Sequence, residues 1–141
     1  MRIAVLFAVA LVPVLSAQTP TLRPGQYELV SEFSMPGRPA GLPGRKDLHC
    51  YTAQELQDLG NSVAKTNASQ NCKVLDSKTV GPKMTFTTEC ANANGNRMTS
   101  SGEVNVLSQD SYRVVVNMKT PTSPDGTTIT INAKRIGDCT K

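Results

Sequence analysis

Four cysteines constrain this chain more than any other feature of its sequence. They are Cys50, Cys72, Cys90 and Cys139, and the chain contains no others. Successive cysteines are 22, 18 and 49 positions apart, whereas a structural zinc site needs close pairs such as C-x-x-C. An even number of cysteines in an exported chain predicts disulfide bonds. We therefore expect two disulfides, with neither a metal site nor a cofactor.

The first 17 residues have the pattern of a secretory signal peptide. Met1-Arg2 is followed by an apolar stretch from Ile3 to Leu15, and then by Ser16-Ala17 and polar residues. The apolar stretch is shorter than the ~18 to 20 residues that span a membrane, which favours cleavage after Ser16 or Ala17 over a retained anchor. Residues 18–141 then form a single β-rich domain without a membrane span.

The charge pattern argues against a nucleic-acid partner. Of 15 lysines and arginines only Arg2 lies in the leader, so the mature chain keeps 14 against 11 acidic residues. These basic residues are scattered and the chain has no tryptophan, whereas nucleic-acid binders cluster basic residues and interleave aromatic ones. The densest group is Arg38, Arg45 and Lys46, in or beside a Pro/Gly-rich loop at 34–44. A solvated loop is favoured there over an anion-binding patch.

Alternation of apolar and polar residues predicts a mainly β (α+β) fold. We expect a curved antiparallel sheet or partial barrel of about seven strands, with one short helix and two disulfides. Thr52 and Glu55 form a capping box that starts the helix, and Gly60 is suited to end it. A looser turn is predicted from Pro121 to Gly126. The predicted strands are 26–33, 46–51, 73–79, 83–90, 97–107, 112–118 and 127–135.

The order of the strands selects one of the three pairings that four cysteines permit. Each hairpin reverses the chain, so the start of one strand and the end of the next lie at the same rim of the sheet. Cys72 opens a strand and Cys90 closes the following one, which places them ~4.5 to 5.5 Å apart at Cα. Cys139 follows three further strands and should emerge at the other rim, ~25 Å away. We therefore predict Cys72–Cys90 and Cys50–Cys139.

The single histidine, His49, directly precedes Cys50. Adjacent strand residues point to opposite faces, so a buried Cys50 predicts a solvent-facing His49. Nucleophilic catalysis needs a base beside its nucleophile, and disulfide formation leaves no thiol for that role. The sequence also lacks a G-x-S-x-G elbow, a P-loop and a G-x-G-x-x-G turn. We predict no catalytic residues and no enzyme activity.

Five short phrases of the chain together carry a resemblance to a known family. The phrases are Pro24-Gly25-Gln26-Tyr27-Glu28, Cys50-Tyr51-Thr52, Gly102-Glu103-Val104, Asp110-Ser111-Tyr112 and Arg135-Ile136-Gly137-Asp138-Cys139. They resemble a family of small exported bacterial proteins known as a domain of unknown function (DUF family 3617). The resemblance covers nearly the whole mature chain, and the order and placing of the four cysteines match, although the family usually has tryptophan where this chain has Tyr27. It implies a periplasmic or secreted, disulfide-bonded, mainly β protein, and it brings no catalytic residues.

Three hypotheses for function come from different classes. The leading one is a non-enzymatic binding or accessory module, with an apolar site between the sheet's concave face and the helix at 52–60 for an apolar small ligand or an envelope protein. The alternative is a structural or protein-interaction role through a strand edge or the Pro-rich loop. A remote third is an envelope hydrolase that uses His49. The sequence identifies neither the ligand nor the partner.

Overall fold

The computed structural model of the protein describes residues 20–38, 44–59, 72–91 and 94–140. The predicted leader, residues 39–43 of the Pro/Gly-rich loop, and Gly60 with the polar segment 61–71 lie outside the described residues. The described part holds seven strands and one helix. They are β1 (Gly25–Ser34), β2 (Lys46–Tyr51), α1 (Ala53–Gln57), β3 (Cys72–Val80), β4 (Lys83–Ala91), β5 (Arg97–Ser108), β6 (Ser111–Thr120) and β7 (Ser123–Gly137).

The seven strands form one open antiparallel sheet in the order β2-β1-β7-β6-β5-β4-β3. β3 to β7 follow one another as a meander, because each is joined to the next along the chain. β1 instead lies between β2 and β7, and pairs with both. The edges of the sheet are therefore β2 and β3. The predicted mainly β fold with about seven antiparallel strands and one short helix is confirmed.

The connection between β6 and β7 differs from the predicted loose turn. β7 begins at Ser123 and runs through Pro124 and Asp125, with an irregular register opposite the end of β6. Gly126 has φ +78°, and a Cβ there would lie 2.9 Å from both Asn117 Oδ1 and the Met118 carbonyl oxygen. A bulge of this kind admits proline and glycine inside a strand. These two residue types misled the prediction because they are also typical of turns.

One face of the sheet carries the core and is called the inner face below. Alternate residues of β4 and β6 are buried, as the period of two requires. Burying a valine or phenylalanine side chain of this kind contributes about 1.5 to 3 kcal/mol. Leu22 and Leu59 join the cluster from outside the sheet. The buried strand residues of the cluster are Tyr27, Phe86, Val104, Tyr112, Val114, Val116 and Ala133.

Gly102 leaves room for a core aromatic ring on this inner face. It is the cross-strand partner of Phe86, and a Cβ at Gly102 would lie 2.5 Å from Cζ of the Phe86 ring and 2.9 Å from the Val115 carbonyl oxygen. The ring therefore lies over the glycine. A large aromatic residue paired with glycine across two strands fixes the register of both.

Both predicted disulfides are present. Cys72 and Cys90 are direct cross-strand partners of β3 and β4, with Cα atoms 3.9 Å apart. Cys50 and Cys139 are joined with Cα atoms 5.6 Å apart. The described residues include no free cysteine. The counting of hairpin reversals succeeded because β3 to β7 is an uninterrupted meander.

The helix is shorter than predicted. Its capping box is present, because Thr52 Oγ1 accepts a hydrogen bond from the Glu55 amide and the Glu55 carboxylate accepts one from the Thr52 amide. The helix ends at Gln57 with Asp58 as its C-cap, and Leu59 beyond it is buried. Within the described ranges, no helix is both long and apolar enough to cross a membrane.

Candidate functional site

All three tyrosines of the chain meet at one rim of the sheet and form what we call the tyrosine cluster. The rings of Tyr27 and Tyr51 are arranged edge to face with centroids 5.4 Å apart. The ring of Tyr112 lies 6.0 Å from the first and 6.2 Å from the second. The Tyr112 hydroxyl donates to the Tyr51 hydroxyl at 2.8 Å. The Tyr27 hydroxyl donates to the Arg23 carbonyl oxygen at 2.7 Å.

Burial raises the pKa of each phenol in the tyrosine cluster. For Tyr27 the negative charge of Asp110 adds to this effect. For Tyr51 burial outweighs the hydrogen bond from Tyr112 that lowers its pKa. Burial also dominates at Tyr112, with a further contribution from Tyr51. The three phenols are therefore neutral at physiological pH, and their rings pack together at the rim.

Two arginines hold the segments before β1 and after β7 against this rim. Arg23 donates to both carboxylate oxygens of Asp110, at 2.9 and 2.5 Å, and this holds the pKa of Asp110 below its usual value. Arg135 donates through Nε to the Pro24 carbonyl oxygen at 2.9 Å and pairs with the Asp138 carboxylate. Bidentate arginine–carboxylate pairs add geometric specificity to their energy. The segment before β1 is thus held against the β5–β6 turn and the end of β7.

His49 lies beside the tyrosine cluster and half of its side chain is exposed. It is the cross-strand partner of Tyr27, and its ring centroid is 4.2 Å from that of Tyr51. Its Nε2 lies 4.0 Å from Glu55 Oε1. His49 is exposed, as the sequence predicted, and Cys50 is exposed as well. The premise of a buried Cys50 is therefore wrong, and His49 lies on the same face of the sheet as its buried partner Tyr27.

Glu55 is committed to the start of the helix and not to His49. Its Oε2 accepts hydrogen bonds from the Thr52 amide at 2.7 Å and from the Thr52 hydroxyl at 2.9 Å. These bonds hold the pKa of Glu55 below its usual value. A carboxylate that orients a catalytic base normally accepts a direct hydrogen bond from that base. The 4.0 Å separation from His49 is too long for one.

The phrases that carry the family resemblance have structural roles here. Four of the five contribute to the rim just described. Gly25, in the first phrase, has φ +146°, and a Cβ there would lie 2.4 Å from the Gly137 carbonyl oxygen in the last. The remaining phrase contains Gly102, which lies under the Phe86 ring. These phrases therefore contribute to the scaffold, and two of them, through Glu28 and Ser111, also contribute to the groove described next.

A groove of about 440 Å³ lies across β1, β7 and β6, beside the β5–β6 turn. We call it the outer groove, because most of its side chains belong to the face opposite the core. Glu28, Lys134 and Ser111 are cross-strand neighbours, and so are Val30 and Asn132 in the next row. Leu107 completes one wall and is 62% exposed. Besides Ser108 and the inner-face residues Tyr112 and Ala133, the residues that line the groove are Glu28, Val30, Leu107, Asp110, Ser111, Asn132 and Lys134.

The two carboxylates that line the outer groove already have cationic partners. Glu28 Oε2 lies 2.8 Å from Lys46 Nζ, and Asp110 is held by Arg23. Lys46 belongs to the basic group that the sequence placed in a solvated loop, and Arg45 of that group pairs with Asp47 at 2.7 Å. The groove therefore presents no unpaired carboxylate among its lining residues.

Candidate metal ligands do not converge in the described ranges. No group of three or more histidine, cysteine, aspartate or glutamate side chains there is suited to hold a metal ion. The four cysteines named as disulfide residues, Cys50, Cys72, Cys90 and Cys139, are all engaged in disulfides.

Sequence reasoning missed the outer groove. It did not consider Val30, Asn132 or Lys134 as binding residues. Polar residues at alternate strand positions indicate an outward face, but not which outward residues become neighbours. That depends on β1 lying next to β7, and no local pattern signals this arrangement.

Comparison with known proteins agrees with the resemblance seen in the short phrases. The model of a family described as protein of unknown function (DUF3617) matches residues 22–139. The match runs from Leu22 in the core to Cys139 in the long disulfide, so it covers all seven strands. No curated protein matches the chain.

Proposed function

The chain belongs to the DUF3617 family, and we propose that it is an exported, non-enzymatic binding module that holds a small, partly apolar molecule in the outer groove. The observation that carries this proposal is the groove itself. Its volume of about 440 Å³ falls in the roughly 300 to 1,000 Å³ range of small-molecule sites. Val30 and Leu107 supply apolar surface, and Asn132 and Lys134 supply polar groups.

The packing beneath the helix favours the outer groove over the apolar site first expected there. Leu59 is buried together with Tyr27, Tyr112 and Ala133 in the same cluster, and Leu56 packs against it. Leu56 and Leu59 thus occupy positions against the described part of the inner face. A ligand would have to displace them, whereas the outer groove is open to solvent.

Two further observations support the export and the lack of catalysis in this proposal. Two disulfides are typical of proteins that fold in an oxidising compartment, as expected for the periplasm or the cell exterior. Among the described residues, no carboxylate lies within hydrogen-bonding distance of His49 to orient it, because Glu55 is held by Thr52. Both features fit a module that binds without turnover.

Binding by the outer groove is tested with matched variants on the exposed face. Leu107→Asp places a charge on the groove wall, and Leu48→Asp makes the same change at a residue of similar exposure, 59% against 62%, on the edge strand β2. Native mass spectrometry of protein recovered from a bacterial envelope measures bound small molecules. We expect the wild type and Leu48→Asp to carry a ligand that Leu107→Asp loses. A bare polypeptide mass for all three would refute the proposal.

A second candidate function, docking of a protein partner at the sheet edge, is favoured by β3. This nine-residue edge strand is exposed along nearly its whole length, and three of its apolar side chains, Val74, Leu75 and Val80, are exposed. Long apolar edges are templates for pairing with another strand. Cross-linking in cells should then give one dominant protein partner, lost in Leu75→Lys and kept in Leu107→Asp. Unchanged cross-links in Leu75→Lys would exclude β3.

A further inference from the structure

We infer that the molecule bound in the outer groove is an amphipathic anion, with a carboxylate or phosphate head and an apolar body. This inference rests on the proposed binding function and specifies its ligand. It is drawn from the charges around the groove, which are unequally neutralised. Each carboxylate has a cation, but two cations on the same face have no carboxylate within ion-pair distance among the described residues.

The two cations are Lys134 on β7 and Arg113 on β6. Lys134 lies opposite Ser111, and Arg113 lies opposite Asn132, so the cations occupy diagonal positions of one antiparallel pair. Diagonal positions are roughly 7 to 8 Å apart. Long side chains bridge such a distance easily, so one anionic group can contact both cations.

The carboxylates nearest to these cations already have other partners. Glu28, the cross-strand neighbour of Lys134, lies 2.8 Å from Lys46. The positive charge of Arg113 contributes to the lowered pKa of Glu103, but Glu103 Oε2 lies 2.5 Å from Lys83 Nζ. Lys134 and Arg113 are therefore free to bind an anion from solution. The amide group of Asn132, next to both cations, adds a neutral donor.

The rest of the groove requires an apolar portion of the same ligand. Val30 lies beside Asn132 across β1 and β7, and Leu107 borders the groove at the end of β5. Inorganic phosphate alone would leave both side chains exposed to water. A fatty acid or a comparable amphipathic acid would cover them, at about 25 cal/mol per Å² of apolar surface removed from water.

The test compares three octyl compounds that differ in the head group alone. Octanoate, octanol and octylamine, together with inorganic phosphate, are titrated by calorimetry into the full oxidised protein at low and physiological salt. The variants are Lys134→Met and Arg113→Met, which keep most of the apolar stem. The control is Lys119→Met, an exposed cation on the same face of β6 but roughly 20 Å from Arg113 along the strand.

We expect octanoate to bind best, with affinity that falls as salt rises. Lys134→Met in the groove and Arg113→Met beside it should each weaken octanoate binding about tenfold or more, as expected on removal of one charged hydrogen-bonding partner. Lys119→Met should bind octanoate like the wild type. Circular dichroism of each variant checks that the sheet is intact.

The outcomes separate this inference from the function on which it rests. If octanol binds as well as octanoate, and Leu107→Asp weakens the binding of both, the groove binds ligands but the inference of an anionic head group is wrong. If inorganic phosphate binds as tightly as octanoate, the inference of an apolar body is wrong. If none of the octyl compounds binds, the inference and the proposed groove function both fail.

Discussion

Removal of two buried hydroxyls should stabilise the protein. Thr88 and Ser100 are cross-strand partners on the inner face, and both are 0% exposed. Neither side-chain oxygen has a hydrogen-bond partner in the part of the chain that the structure describes. A buried hydroxyl without a partner costs about 1 to 3 kcal/mol. Thr88→Val and Ser100→Ala should therefore each raise the free energy of unfolding by about 1 kcal/mol or more. The double variant should gain about 2 kcal/mol or more, a large share of the ~5 to 15 kcal/mol typical of a domain.

The chain offers a matched control in the neighbouring pair. Thr87 and Ser101 are also cross-strand partners of β4 and β5, but they belong to the opposite face and neither is buried. Their hydroxyls can bond to water, so Thr87→Val and Ser101→Ala should change stability by less than about 0.5 kcal/mol. Guanidinium denaturation measures all variants, with a constant slope showing that the midpoint reports stability.

A double-mutant cycle tests whether the hydroxyls of Thr88 and Ser100 lack hydrogen-bond partners. Two hydroxyls without partners should give additive gains. If Thr88→Val instead destabilises by about 1 kcal/mol, its hydroxyl has a partner in the folded protein. A coupling energy of that size between Thr88 and Ser100 would identify the partner as the other hydroxyl of the pair.

Three further perturbations follow from the fold. The two disulfides close loops with sequence separations of 89 and 18. In the chain-entropy model, replacing Cys50 and Cys139 with alanine should lower the free energy of unfolding by ~4 to 5 kcal/mol, and replacing Cys72 and Cys90 should lower it by ~3 kcal/mol. A denaturant titration in which the second pair has the larger effect would contradict the model. Gly102→Ala should destabilise by about 1 to 3 kcal/mol, because its Cβ overlaps a core ring, and a raised melting temperature would show that the ring moves away easily. The tyrosine phenols have native pKa values above the ordinary value of 10.0, so the stability they confer is present below about pH 10 and lost above it. Phenolate absorbance should therefore appear only together with the loss of circular dichroism that marks unfolding. Phenolate absorbance in folded protein at pH 10 would contradict this.

Much of the fold was predictable because its signals are local. Tyr27 and Leu29 alternate with Gln26 and Glu28, and this period of two predicted β1 directly. The residue types of Thr52 and Glu55 alone indicated the helix start. The disulfide between Cys72 and Cys90 needed one long-range assumption, that successive strands are hairpin neighbours, and this holds from β3 to β7.

The candidate site was not predictable, because it depends on pairings between distant segments. Lys134 and Glu28 are neighbours because β1 lies beside β7, although they are far apart in sequence. Cys50 was expected to be buried but is exposed, because burial at this position depends on the complete sheet. Pro124 was assigned to a turn, since a bulge and a turn favour the same residue types.

The strand order has a consequence for how the molecule is made. β1 is among the first strands to be synthesised. One of its edges pairs with β2, but the other stays unpaired until β7, the last strand, has been made. Until then the chain consists of an N-terminal hairpin and a separate four-stranded meander, each with an open flank. Such late, non-local closure slows folding and leaves the nascent chain prone to aggregation. A polypeptide cut short before β7 should therefore remain as two loosely connected halves, even with every other strand complete.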